Sequence, residues 1–302
     1  MKKLCSLLAG ILIFSLVSGC GQVSDKRINL VTSFYPIYIM VLNLVDGVDG
    51  VSVTNMAENH IGCLHDFELQ TSDMKKIENA DAFIINGAGM ESFLDKILNT
   101  KSQMPIVDSS EGIEVLEDEH HDHSHEHEES EEEHINSHIW VSISNYIRQV
   151  DNICEGLVSI DPQNESKYRE NAEKYTEKLE DLKQQMHHEL DGLKNKDVVT
   201  FHEAFPYFAK EFDINVAAVI SSEPENEPSV KELSEVVETV RKYGIKALFV
   251  EPQYPDNSAR VISQETDAKI YVLDSGSSGE ISKDAYLNTM KENLEVLKEA
   301  LA

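Results

Sequence analysis

Residues 117–134 read EDEHHDHSHEHEESEEEH: ten carboxylates, six histidines and two serines, with no apolar or basic side chain. Half of the chain's twelve histidines fall in this stretch, at His120, His121, His123, His125, His127 and His134. Imidazole nitrogen is a good ligand for zinc, copper and nickel, and the carboxylates concentrate divalent cations around it. With nothing apolar to bury, the segment cannot offset the entropy of ordering, so a mobile surface loop is expected. Its chemistry points to a metal without saying whether the loop is the site or an accessory to one.

Other candidate ligands stand at the ends of apolar runs. His202 follows a run ending at Phe201, Glu251 follows Val250, and Asp274 follows Leu273. His65 lies in the loop Asn59-His-Ile-Gly-Cys-Leu-His-Asp-Phe67, and His138 in Asn136-Ser-His-Ile-Trp140, just past the acidic loop. Open parallel sheets bind ligands in the crevice beyond the carboxyl ends of their strands. Three histidines and an aspartate arriving from four places suit a tetrahedral ion with nitrogen about 2.0–2.1 Å from zinc.

The elements that must position these groups are short β-branched runs at residues 28–33, 51–54, 82–85 and 105–108, then at 197–201, 216–220, 247–250 and 269–273. They alternate with helical stretches and are bounded by turn signals, which predicts an α/β protein of two doubly wound parallel-sheet lobes. The expected divisions are 28–160 for the first lobe, 161–193 for a linking helix and 194–302 for the second lobe. In the linker, Asp161-Pro162 reads as an N-cap and first-turn pair. Tyr168, Ala172, Tyr175, Leu179, Leu182, Met186, Leu190 and Leu193 then form a single apolar stripe at helical spacing. His187 and His188, late on that rod, read as surface residues.

The N-terminus sets the compartment. Lys2 and Lys3 precede an apolar run over residues 4–17, too short to span a bilayer, which ends in Val17-Ser18-Gly19-Cys20. This resembles a bacterial lipoprotein signal cut before Cys20, whose thiol then carries lipid, with residues 20–27 as a tether. The formal charge of −29 becomes about −31 without residues 1–19, which carry two lysines and no acid. Such a field disfavours nucleic acid and anionic substrates and attracts cations. Cys5 and Cys20 apart, Cys63 and Cys154 remain; whether they pair is left open, and two thiols do not make a disulfide scaffold.

Several further runs carry a resemblance: Cys63-Leu-His-Asp-Phe-Glu-Leu-Gln-Thr-Ser-Asp73, Asp81-Ala-Phe-Ile-Ile-Asn-Gly-Ala-Gly-Met-Glu91, His138-Ile-Trp140, Phe201-His-Glu-Ala-Phe-Pro-Tyr-Phe208, Ser222-Glu-Pro-Glu225, Phe249-Val-Glu-Pro-Gln253 and Val272-Leu-Asp274. Together, and in this order, they resemble the zinc- and manganese-binding receptors of bacterial ABC importers, the family 9 solute-binding proteins. The resemblance implies two α/β lobes on a rigid backbone helix, with one metal between the lobes. It implies His65 and His138 as ligands from the first lobe, His202 and Asp274 from the second, and an importer permease as partner. Leu64 stands where the family usually has proline, with Cys63 beside it. The continuations after His138 and Asp274 also differ from the usual ones, so water, Glu203 or Glu251 remain alternatives to Asp274.

Three histidines and the His-rich loop favour zinc over manganese, whose receptors more often pair two histidines with two carboxylates. Ligand imidazoles must be neutral, so affinity should fall as pH drops below about 6.5. The chain is expected to be a monomeric binding protein and not an enzyme. A zinc hydrolase on the helical two-histidine pattern would need histidine at position 206, which is Pro206. A zinc-stabilised surface adhesin is a further alternative.

Overall fold

A computed structural model describes residues 27–58, 60, 62, 64, 67–117, 135–220 and 228–302. The lipidation residue Cys20, Cys63, His65 and the six loop histidines lie outside the described residues.

The first half runs β1 (Ile28–Thr32), α1 (Tyr35–Leu44), β2 (Val51–Asn55), α2 (Thr71–Glu78), β3 (Ala82–Ile85), α3 (Leu94–Thr100) and β4 (Ile106–Asp108). Its sheet is parallel in the order β2-β1-β3-β4, with Leu30 opposite Ala82 and Phe83 opposite Ile106. A small antiparallel ribbon follows, β5 (Leu116–Glu117) with β6 (Ile135–Asn136). Next come α4 (Ile143–Ile160) and α5 (Glu165–Leu190). The second half runs β7 (Asp197–Thr200), α6 (Pro206–Phe212), β8 (Asn215–Val219), α7 (Val230–Tyr243), β9 (Ala247–Val250), α8 (Asn257–Glu265), β10 (Lys269–Val272) and α9 (Ala285–Leu301). Its sheet has the parallel order β10-β9-β7-β8, so the topology of the first half is repeated.

Every expected strand forms within a residue of its apolar run. β3 and β9 are buried on both faces, as an inner strand between helix layers must be, whereas β2, β8 and β10 at or near the edges are partly exposed. Helix ends follow local chemistry. Ser229 and Glu232 form a capping box on α7, and Gly244 closes it at φ +65, in the left-handed region open to glycine.

The linker differs from its expected form. Asp161 ends α4 and stands at the N-cap of a 3-10 turn, with Pro162 in its first position, rather than at the start of α5; its carboxylate caps no backbone amide but accepts from Asn164 Nδ2 at 2.7 Å and Tyr168 Oη at 2.9 Å. A 3-10 turn over Pro162–Asn164 intervenes, so α5 spans 26 residues and about 39 Å. Proline at 162 signals a new helix, but the 3-10 turn lets the chain reverse so that α4 and α5 pack against one another. The buried face of α4, Ile143, Tyr146, Val150, Ile153, Cys154 and Leu157, recurs at helical spacing and meets the stripe of α5. α9 returns from the second lobe to lie on α5 and α1. One continuous core therefore joins the first lobe, these helices and the near face of the second sheet, while a smaller core lies under α7 and α8. Cys154 is a free thiol inside the larger core, and burial pushes it up to about 11. His187 is half-exposed beside Asp191 and His188 is exposed, as read from the sequence. Among the described residues no helix is long and apolar enough to cross a membrane.

Candidate metal centre

In the second sheet the strand order reverses between β7 and β9, the point where an open α/β sheet leaves a crevice at its carboxyl edge. His202 follows β7 and Glu251 follows β9, so both enter this crevice from adjacent strands. His202 is only 3% exposed, and its Nδ1 lies 2.5 Å from Glu251 Oε2. The other carboxylate oxygen, Glu251 Oε1, accepts from Gln253 Nε2 at 2.8 Å. Glu251, considered above as a replacement ligand, is thus occupied through both oxygens in orienting the second-lobe histidine. A carboxylate on Nδ1–H leaves Nε2 of the same ring with the lone pair that a metal takes.

His138 arrives from the other lobe. It is fully buried, two residues past β6, at the start of a 3-10 turn over Ile139–Val141. Its Nδ1 lies 3.2 Å from Asn136 Oδ1, and its ring centroid stands 4.9 Å from that of His202, edge to face at 89°. The turn is locked across the lobes: Trp140 Nε1 donates to the Ser275 carbonyl at 2.9 Å, and Tyr286 Oη donates to the Trp140 carbonyl at 3.0 Å. Glu211 on α6 accepts from the Ser142 hydroxyl at 2.7 Å and from Ser144, placing a carboxylate at the positive end of the α4 dipole.

Of the other expected ligands, His65 lies outside the described residues, and only its neighbours Gly62 and Leu64 are placed. Leu64 is fully buried, and at Gly62 (φ +104) a Cβ would come within 3.0 Å of the Tyr254 hydroxyl. The Tyr254 ring is itself 5.1 Å from His202. Asp274 is partly buried beyond β10. Asn293 clamps its backbone, and its Oδ1 accepts from the Gly276 amide at 2.8 Å. Desolvation, helped by the charges of Glu251 and Glu292, raises its pKa above the usual carboxylate value. No described contact joins Asp274 to either imidazole, and among the described residues no group of three histidine, cysteine or acidic side chains is assembled to hold an ion. The Glu203 carbonyl accepts from Asn136 Nδ2 at 2.8 Å. Asn136 and Gln253 were not singled out from the sequence. The strand-order rule, applied to the run ending in Val250, would have marked Glu251 as a neighbour of His202.

The equivalent crevice of the first lobe contains Glu91. Its oxygens accept from the amides of Asn86 at 2.8 Å and Gly87 at 3.1 Å, yet burial, with the charge of Asp108, pushes its carboxyl up to about 7. The folded chain holds this proton to higher pH than the unfolded chain, whose ordinary value is 4.5. The resulting stabilisation is complete below about 4.5 and is lost as pH rises through about 7. Between pH 5 and pH 8, wild type should therefore lose about 2–3 kcal/mol relative to Glu91→Gln, measured by urea unfolding of the metal-free protein. Parallel pH dependences for the two proteins would remove Glu91 as the cause.

Over residues 30–300 the sequence matches the family described as ZnuA: Zinc-uptake complex component A periplasmic. The chain belongs to the ZnuA family. It is 30% identical over 318 residues to the high-affinity zinc uptake system protein ZnuA of Bacillus subtilis, covering 99% of this chain and 98% of that protein. It is 29% identical over 320 residues to the zinc-binding protein AdcA of Streptococcus pyogenes, where the match spans 99% of this chain but only 61% of AdcA. The solute-binding protein FpvC of Pseudomonas aeruginosa, solved with a nickel ion, has a TM-score of 0.76 at 27% identity, covering 91% of this chain and 97% of that one. The ZnuA-family fold of two parallel-sheet lobes on a long helix is thus the architecture seen here.

Proposed function

We propose that this chain is an extracytoplasmic zinc receptor that passes its ion to the permease of an ABC importer, held at the membrane by lipid on Cys20. The observation that carries the reading is the pair of buried imidazoles, one from each lobe, 4.9 Å apart, each with an oxygen acceptor at its Nδ1. Two oriented nitrogens suit zinc better than the oxygen-rich sets favoured by manganese. The ZnuA and AdcA relatives, named for zinc, support the same metal; nickel in FpvC makes that ion the competitor to measure. His65 completes the nitrogen set from the first lobe and Asp274 supplies the fourth position. The histidine-rich loop captures ions at the cleft rim, since the β5–β6 ribbon from which it springs ends two residues before His138. The chain acts by binding and release, not catalysis; α6 begins at Pro206, where a helical zinc protease would carry its second histidine.

The test is a zinc titration of the signal-free protein, with manganese and nickel as competitors. It includes a deletion of residues 118–134 and the triple variant His65→Ala, His138→Ala, His202→Ala. One tight zinc site should survive the deletion and vanish in the triple variant. Tight binding retained by the triple variant, or preference for manganese, would overturn the reading.

A further inference from the structure

We infer that Asn136 is the positioning residue of the interlobe site: it sets the tautomer of His138 and ties that histidine to the backbone carrying His202. This rests on the zinc-receptor reading and names a residue through which the site is preorganised. Asn136 is buried at the end of β6. Its Nδ2 donates to the Glu203 carbonyl at 2.8 Å, while its Oδ1 lies 3.0 Å from the His138 amide nitrogen and 3.2 Å from His138 Nδ1.

The orientation of this amide follows from its partners. A carbonyl only accepts, so the Asn136 NH2 must face Glu203; a backbone amide only donates, so the Asn136 oxygen must face His138. With an oxygen against it, His138 Nδ1 must carry the proton, and the lone pair belongs to Nε2. The tautomer needed for ligation through Nε2 is therefore imposed before any ion arrives, by a group that also reaches the residue next to His202.

Asn136 and the residue after it are themselves held through their backbone carbonyls. Tyr207 Oη donates to the Asn136 carbonyl at 2.6 Å and accepts from the Leu116 amide at 2.9 Å, pinning both strands of the ribbon to α6 of the second lobe. Asn86 Nδ2 donates to the Ser137 carbonyl at 3.0 Å, and Asn86 is fixed in turn by Gln149 and Ser109. The two peptide units that precede His138 are thus anchored, and a rotation of the imidazole must break the Asn136 contact.

The experiment uses signal-free protein without metal, with histidine nitrogens labelled for NMR, followed by zinc titration. In wild type, His138 should be protonated at Nδ1. Asn136→Leu should shift it towards the Nε2–H form and weaken zinc binding about 10- to 100-fold, the range expected when an outer partner of a ligating histidine is removed. Asn136→Asp retains the acceptor but cannot donate to Glu203, so it should keep the Nδ1–H form and weaken zinc binding less than Asn136→Leu. The inference is overturned if folded Asn136→Leu keeps the Nδ1–H form and binds zinc within about twofold of wild type. Should Asn136→Leu not fold, a shift of Asn136→Asp to the Nε2–H form overturns it. His202→Ala serves as the separate control: tight zinc binding in that variant sinks the metal-site reading, whereas its loss beside an unaffected Asn136→Leu sinks only the role of Asn136.

Discussion

Replacing His202 with alanine is expected to weaken zinc binding by at least about a hundredfold and also to destabilise the protein that contains no metal. On the proposed four-ligand site, the first effect follows from dividing an apparent binding free energy of order 10 kcal/mol or more among about four ligands, so that one nitrogen is worth roughly 3 kcal/mol. The second comes from Glu251. Its side chain is about 1% exposed, and one of its oxygens is committed to His202 Nδ1. Without the imidazole that oxygen keeps only its desolvation penalty, about 1–3 kcal/mol. Adding Glu251→Gln to His202→Ala should therefore recover stability without recovering affinity, because the amide carries no net charge and the proposed ligand is still missing. Calorimetric zinc titration and urea unfolding of both variants separate the effects. Unchanged apo stability in His202→Ala would mean that the contact with Glu251 contributes nothing.

Trp140→Ala should cost about 3–5 kcal/mol, the usual penalty for emptying a large aromatic site in a packed core. For a chain of this size that corresponds to a fall in Tm of roughly 10 °C. Trp140 is fully buried, its ring meets Phe34 edge-on at 5.0 Å, and its indole N–H reaches the second lobe at the Ser275 carbonyl. Its own carbonyl receives Tyr286 Oη, and the Tyr286 ring stacks on Tyr146 at 3.5 Å. The cavity would thus open at the seam between lobes, two residues from His138, and zinc affinity should fall along with stability. Trp140→Phe keeps most of the packing but not the indole donor, and should lose about 1–2 kcal/mol through the orphaned Ser275 carbonyl. Differential scanning calorimetry checks both, and a loss below about 1 kcal/mol for Trp140→Ala would show that other contacts hold the seam.

The strands were legible because a parallel strand buried on both faces has little choice of composition: Ala82-Phe-Ile-Ile85 and Ala247-Leu-Phe-Val250 announce themselves by continuous apolar runs. The stripe of α5 was legible for the same reason. Its start was not, because Pro162 opens a 3-10 turn and an α-helix equally well, and only the packing of α4 on α5 decides between them. The site was legible in part. Histidine at a strand end is visible in a linear chain, whereas the group that meets its other nitrogen depends on strand order. Glu251 lies 49 positions from His202 and becomes its partner only because β7 and β9 are neighbours.

By itself the sequence determined the fold class, the candidate histidines and the cationic preference, since apolar periodicity, residue chemistry and net charge are properties of the chain before it folds. Only the tertiary structure decided which nitrogen of each imidazole is held, by Asn136 at His138 and by Glu251 at His202. It alone showed that the two rings, from segments 64 residues apart, meet across a seam. Hydrogen-bond direction and interlobe distance are set by how the sheets and helices pack, and no local pattern encodes them.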